Sequence, residues 1–410
     1  MEAGVRKSAA SLKRPSDTLS SRAGLKVALV HDWLTGMRGG EKCLEVLCRA
    51  FPDATLYTLI HHKGILSPAI EAMTIRTSSL QHLPGVFRHY RKLLPLMPLA
   101  TKAWHVGDVD VVVSLSHCVA KSVKVPRGVP HLCYCFTPMR YAWEGQDSYL
   151  EGWEDRPLRR ALAKRVLTRM RGWDRATANG VTHFVAISET VRERIARCYS
   201  RESKVIQPPV DTDFYTIDPA TPREPFHLCV SALVPYKRID HAVTACSTLG
   251  RKLVVIGEGP DRARLERQAG STIQFLGWQP DEVIRDYYRR CQALLFPGEE
   301  DFGIVPMEAL ACGTPVIALD RGGVAETVDA AVGGLYQGAS PEGLIAAIEN
   351  WEAKGMLSDP QIARRKAEAF ALPRFRERLL GYIESVASRT EGDRVPPPPH
   401  MAIPVTKPAL

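Results

Sequence analysis

The chain has 410 residues, of which 45% are apolar and 24% charged, with a formal net charge of +9. That length admits two domains with separate cores, and the composition is that of an ordinary globular protein. No apolar run reaches the roughly eighteen uncharged residues of a spanning helix, and no nucleic-acid-binding motif accompanies the basic charge.

Residues 1–23 are rich in Ser, Ala, Lys and Arg and lack an apolar h-region, so they read as a disordered tail and not a secretory signal. Strands then alternate with helices, the pattern of doubly wound α/β domains. Leu25 to Val30 reads as a buried first strand, and Gly36-Met37-Arg38-Gly39-Gly40 leads into a helix through Glu41 to Leu47. Further strands are expected over Ala54–Leu59, Val109–Val113, His131–Cys135 and Thr182–Ile187, with a helix capped by Ser188 running to Tyr199. The Pro-rich stretch from Pro208 to Pro225 reads as an interdomain linker. The second half restarts with a strand over His227–Leu233, followed by strands at 252–256, 273–276, 293–297 and 315–319 and a helical pattern over Arg376–Ser388. The expected organisation is therefore a first Rossmann-like domain over 24–215, a second over 223–375, a last helix over 376–390 and a Pro-rich tail over 391–410.

Two stretches interleave basic and apolar residues. One runs from Phe87 to Met97, and the other spans Arg156, Arg159, Arg160, Lys164, Arg165, Arg169, Arg171 and Arg175 with Leu158, Leu162, Val166, Leu167 and Trp173. Such stretches suit an anionic membrane surface, the bland alternative being solvated helix faces. The ten cysteines show no paired spacing, which fits a reduced, cytoplasmic protein and no zinc framework. Asp108-Val109-Asp110 spells a D-x-D but opens a strand in the first half, and no metal is expected there.

The most informative segment is Glu300-Asp301-Phe302-Gly303-Ile304-Val305-Pro306-Met307-Glu308. It places one carboxylate at a strand's carboxyl end and another a turn into the next helix. Gly303, Ile304 and Val305 present backbone N–H groups at that helix's N-terminus, where the dipole is positive and donors are free. Carboxylates suit sugar and ribose hydroxyls while the N–H groups suit phosphate, so one segment can hold a nucleotide sugar. The bland alternative is a buried crossover whose acids only cap a helix. At the end of the second half's first strand, Lys237 and Arg238 can neutralise a diphosphate leaving group.

From Phe296 through Thr327 the sequence resembles the E-x7-E element of retaining nucleotide-sugar glycosyltransferases of family four, which have the two-domain GT-B fold. The resemblance extends over roughly Lys26 to Ser388 and implies a metal-independent hexosyltransferase without cofactor, built for a nucleoside-diphosphate sugar. It implies Glu308 on the ribose, Glu300 with Gly303, Ile304 and Val305 on the sugar and phosphates, and Lys237 with Arg238 on the diphosphate. Gly257, Gly259 and Leu276 would border the nucleotide and Gly40 the donor phosphate. Gly39, His117 and Arg140 would lie on the acceptor side. The last helix would cross back to the first domain. Wording around Lys237 and Arg140 is most similar to mannosyltransferases of polysaccharide assembly, which makes GDP-mannose the leading donor and a glycan or polyprenyl-linked molecule the acceptor. The chain departs from the family at Phe136, where relatives carry His, and at Ala232, where many carry Arg. Two other readings stay open: a nucleotide-sugar epimerase of the same fold, and a catalytically lapsed assembly subunit.

Overall fold

The computed structural model describes residues 24–143, 157–355 and 359–388; both expected tails, and Arg156 of the second basic stretch, lie outside the described residues. Seven strands form the first sheet: β1 (Val27–His31), β2 (Thr55–Thr58), β3 (Thr74–Thr77), β4 (Val111–Ser116), β5 (His131–Cys135), β6 (His183–Ala186) and β7 (Ser203–Val205). Their order is β3-β2-β1-β4-β5-β6-β7. The second sheet holds β8 (His227–Val230), β9 (Leu253–Ile256), β10 (Ile273–Gly277), β11 (Ala293–Phe296), β12 (Val316–Leu319) and β13 (Gly333–Tyr336) in the order β10-β9-β8-β11-β12-β13. All pairings are parallel, so helices must cover both faces, and the central strands β1, β4 and β5 are accordingly buried along their whole length.

In each sheet the strand order reverses once, between β1 and β4 and between β8 and β11. Ligands of open α/β sheets lie outside the carboxyl ends of the strands at that reversal. Residues beyond those four ends are Asp32, His117, the Ser231–Arg238 stretch and the Gly298–Gly303 stretch. The topology thus delivers the chemically interesting segments of both halves to the same kind of position.

Three strands went unread in the sequence, β3, β7 and β13. The final helix, Leu372–Ala387, begins four residues before its apolar pattern because Pro373 sits in its first turn, where a missing N–H costs nothing. It packs on the first domain: Phe375 meets the Tyr134 ring edge-on at 5.8 Å, and Tyr382 lies 6.2 Å from His183 and 4.6 Å below the Lys204 ammonium.

The two basic-apolar stretches cover one face of the first sheet. Leu80, Val86, Tyr90, Leu94 and Met97 share a core with Leu167 and Met170 and with Ala28, Val30 and Val112 of the sheet. The first stretch is not one helix. It is a short helix at Val86–His89, a 3-10 stretch over Tyr90–Leu96 that contains Pro95, and a helix at Met97–Thr101. No helix among the described residues is long and apolar enough to cross a membrane. All ten cysteines are buried and free.

Candidate functional site

On the second-domain wall, β8 and β11 are neighbours, so the segments beyond their carboxyl ends are brought together. After β8 the chain makes a 3-10 turn, Pro235–Lys237, and then enters the helix Ile239–Leu249 through Arg238 at φ +53°. Lys237 reaches across to ion-pair with Glu300 Oε1 beyond β11. Gly298 makes this crossing possible, since a Cβ there would stand 2.7 Å from the Lys237 carbonyl oxygen. Arg238 instead forms a bidentate pair with Asp240 at 3.1 and 3.0 Å. Lys237 is thus placed on the Glu300 carboxylate, and Arg238 stays within its own helix turn.

Gly303 caps the helix Ile304–Ala311 at φ +93°, a left-handed conformation natural only to glycine, and offers no side chain to its first N–H groups. Those amides remain available to an anion at the positive end of the dipole. Two turns further on, Gly322 and Gly323 press against the acidic segment. A Cβ at either would lie within 2.4 Å of the carbonyl oxygens of Glu300 or Asp301. Gly257 and Gly259 are equally tight, at 1.8 Å from Ser231 O and 2.1 Å from Leu233 O, and Leu276, next to last in β10, has its carbonyl taken by Gln279. These glycines let strand ends and turns close on one another at the cleft wall.

Glu308 lies a turn into the helix and is buried. Its Oε2 accepts from the Tyr288 hydroxyl at 3.3 Å, and its Oε1 accepts from Lys42 Nζ at 3.3 Å. Burial pushes the Glu308 carboxyl above its ordinary value; Asp281 adds to the rise, while Lys42 and Tyr288 pull the other way. Burial also opposes the Lys42 charge, but the carboxylates of Glu308 and Asp281 outweigh it and hold the ammonium above its ordinary value. The two shifts do not mirror each other because Glu308 is the more enclosed partner, with 9% of its side chain exposed against 37% for Lys42.

Lys42 comes from the first domain, in the helix Gly39–Ala50. Gly39 lies against Ile304, whose Cδ1 would be 2.5 Å from a Cβ, and Gly40 lies against Phe136 and His31. At the next strand ends, Asp32 is fully buried and accepts backbone N–H groups from His117, Cys118, Val119 and Ala120 at 2.6 to 3.0 Å. His117 Nδ1 is 3.0 Å from Asp32 Oδ2. Burial works against the imidazolium, yet Asp32 overcomes it and the His117 value is raised. The ring stands edge-on to Trp33, and Phe136 packs beside His31 and Tyr134.

Between the domains runs a second set of ions. Arg140 Nη2 donates to Asp301 Oδ2 at 2.7 Å, while Arg194 contacts Asp301 and also Glu299 at 2.7 Å. Arg140 additionally covers the Tyr236 ring. Glu326 accepts from the N–H groups of Glu189 and Thr190 at 2.8 and 2.7 Å, capping a first-domain helix from the second domain. The D-x-D carboxylates are both taken by Lys26, through its ammonium and its backbone N–H. No cluster of three or more metal-ligating side chains occurs among the described residues.

The structure therefore gathers Lys237, Glu300, Gly303, Ile304, Val305 and Glu308 on one wall, with Gly39, Gly40, His117 and Arg140 facing from the other domain. Sequence reasoning missed Asp32, Tyr288, Arg194 and the role of Lys42. Of these only Lys42 carried a signal, as the residue following Arg38-Gly39-Gly40-Glu41.

Residues 216–369 match the family described as Glycosyl transferases group 1. A GDP-mannose-dependent alpha-(1-6)-phosphatidylinositol dimannoside mannosyltransferase of Mycobacterium tuberculosis is 31% identical over 179 residues, which are 42% of this chain and 47% of that protein. The corresponding monomannoside mannosyltransferase of Mycolicibacterium smegmatis is 28% identical over 243 residues, 52% of this chain and 59% of that protein. The chain thus spans about half the length of the curated relatives it matches. Among solved structures, Anabaena HepE in complex with UDP and glucose superposes with a TM-score of 0.64 at 16% identity, over 88% of this chain and 100% of that one. Sucrose-phosphate synthase from Thermosynechococcus elongatus gives 0.66 at 17% identity, over 88% and 99%. The fold is GT-B.

Proposed function

We infer that this chain, whose second domain belongs to the Glycosyl transferases group 1 family, is a glycosyltransferase. Its reaction moves a hexose from a nucleoside-diphosphate sugar to a hydroxyl of a glycan or lipid-linked acceptor, with retention and without a metal. The observation that carries this reading is the wall itself: Lys237 on Glu300, the open helix N-terminus at Gly303, and buried Glu308 one turn on. Negative charge grows on the diphosphate as the glycosidic bond breaks, and an ammonium plus a helix N-terminus are already in place to meet it. Glu300 and Glu308 offer acceptor oxygens to sugar and ribose hydroxyls. The chain supplies positioning and electrostatics, and the acceptor attacks the face the diphosphate leaves. Mannose from GDP-mannose is the favoured donor sugar, supported by the names of the mannosyltransferases that the chain resembles.

Work on a lipid-linked acceptor fits a chain that rests on the cytoplasmic face of an anionic membrane through its two basic-apolar stretches. The deciding experiment is a thermal-shift screen against GDP, UDP, ADP and their sugars. Stabilisation by GDP and GDP-mannose alone is the expected outcome, and indifference to every nucleotide would overturn the reading. Within that screen Glu308→Ala loses most of the nucleotide response, because the ribose hydroxyls lose a buried acceptor.

A further inference from the structure

Among the described residues, Lys42 is the one side chain of the first domain that touches the carboxylate assigned to the ribose, and it bridges 266 positions of sequence to do so. We propose that Lys42 is a positioning residue of the nucleotide site, supplied by the opposite domain, which fixes the Glu308 carboxylate for a ribose diol so that the site is complete only when the two domains are together. The inference rests on the nucleotide-sugar reading and adds to it a residue outside the second-domain motif.

The geometry explains how one carboxylate serves three partners. Each carboxylate oxygen has two lone-pair sites. Tyr288 takes one on Oε2 and Lys42 one on Oε1, which leaves one on each oxygen for the two hydroxyls of a ribose. Held from both sides, the carboxylate cannot rotate, and the two open sites stay side by side. The approach of Gly39 to Ile304 brings the first domain close enough for Lys42 to reach, so closing the cleft and preparing Glu308 are one event.

Charge matters as well as orientation. The groups around Glu308 are Asp281 and Tyr288 from the helix Asp281–Arg290, Asp211 and Tyr215 from the link between domains, and Cys312 at its own helix end. Three arginines stand beyond Cys312, but each is held by backbone carbonyls: Arg285 by Phe214, Arg289 by Thr216 and Arg364 by Thr212, Tyr215 and Ala311. Lys42 is therefore the cation in direct contact with Glu308. Without it, burial and Asp281 would both favour the neutral acid, a weaker partner for ribose hydroxyls.

The test uses the full chain and two probes, GDP and UDP, which share the ribose. Titration calorimetry across pH is run on the wild type, Lys42→Met, Lys42→Arg, Glu308→Gln and the Lys42→Met/Glu308→Gln double variant. Lys42→Met is expected to weaken binding of the preferred nucleotide by roughly tenfold or more at neutral pH. Its affinity should also begin to fail at higher pH than the wild type, since Glu308 then protonates earlier. Comparing the profiles cancels ionisation of the phosphates. Lys42→Arg should restore most of the affinity, and in the Glu308→Gln background Lys42→Met should have little further effect. The proposal is overturned if Lys42→Met binds with wild-type affinity and pH profile. It is equally overturned if the loss is undiminished in the Glu308→Gln background, which would put Lys42 on the phosphates. A wild type that binds neither probe and is stabilised by no nucleotide in the thermal-shift screen refutes the nucleotide reading itself, and this proposal with it. An unchanged melting temperature of the free variants shows that they fold.

Discussion

At position 32 a carboxylate survives complete burial because four backbone N–H groups and the His117 ring converge on it. A group so enclosed would ordinarily be neutral, but the His117 charge beside it, and then the hydrogen bonds to its charged form, reverse that, and its value is depressed. The sign of the pH effect follows from both partners. His117 has a raised value, so its contribution to stability is complete below the ordinary imidazole value and is lost as pH rises through the raised one. Asp32→Asn should return the His117 titration, followed by imidazole NMR, to that of an ordinary imidazole or below. It should also cost more stability under mildly acidic than under alkaline conditions, whereas a His117 titration unchanged by the substitution would show that Asp32 does not set it. Asp32→Ala strands four buried donors and should cost about 3 to 5 kcal/mol in denaturant unfolding. Residues such as Glu300, Glu308 and Lys237 were legible from the sequence because each sits in a local pattern of strand end, glycine and helix start. Asp32, Arg194 and Tyr288 were not, since their partners lie 85, 107 and 20 positions away and nothing local distinguishes them from ordinary charged or core residues.

Among the elements, the helix Ile304–Ala311 depends most visibly on one backbone conformation. Gly303→Ala forces an L-residue to φ +93° and should cost on the order of 1 to 2 kcal/mol, read as a lowered melting temperature, while also tilting the amides that face the anion site. A variant as stable as the wild type would mean that the turn adapts. Glu326→Ala removes the carboxylate that caps the Glu189–Tyr199 helix across the domain boundary and should lose about 1 kcal/mol. Central strands were readable because their burial is continuous, and the strands that escaped notice explain themselves. β3 is a four-residue edge strand, Thr-Ile-Arg-Thr, with alternate residues exposed, and β7 has only three residues. β13 opens on two glycines that look like a turn. Gly333 is needed there because a Cβ would sit 1.9 Å from the Val316 carbonyl oxygen, a matter of strand approach rather than chain reversal. The stretch from Phe87 to Met97 was legible as amphipathic but not as broken, although Pro95 and Pro98 mark the breaks.

For the whole molecule, the face of the first domain formed by the two basic-apolar stretches offers the widest test. Leu96, Leu99, Leu158 and Leu162 are 47%, 63%, 86% and 64% exposed beside Arg88, Arg91, Lys92, Arg159, Lys164 and Arg165. Apolar side chains that no core claims, ringed by cations, match the boundary of an anionic bilayer. The protein should sediment with phosphatidylglycerol vesicles, less so as salt rises, and Arg88→Glu with Arg91→Glu should release it. Absence of binding at every salt concentration would return these stretches to solvated faces. Two doubly wound halves were legible from alternating elements and a Pro-rich link, and the GT-B fold from the resemblance carried by the Glu300–Glu308 segment. The charge contacts that join the halves, Lys42 to Glu308 and Arg140 and Arg194 to Asp301, emerge only once the chain is folded.

The ten cysteines give this molecule a gauge of its own breathing. Six (Cys43, Cys48, Cys118, Cys133, Cys135 and Cys198) lie in the first domain and four (Cys229, Cys246, Cys291 and Cys312) in the second, all of them buried. Burial pushes the Cys48, Cys246, Cys291 and Cys312 thiols up to about 12, so in the closed protein they are poor nucleophiles towards a water-borne alkylating reagent. A label therefore enters only while the segment around a thiol is open. The peptides that carry it after a timed pulse would report, without any engineered probe, which half of the chain loosens first and whether a nucleotide quiets both halves or only one.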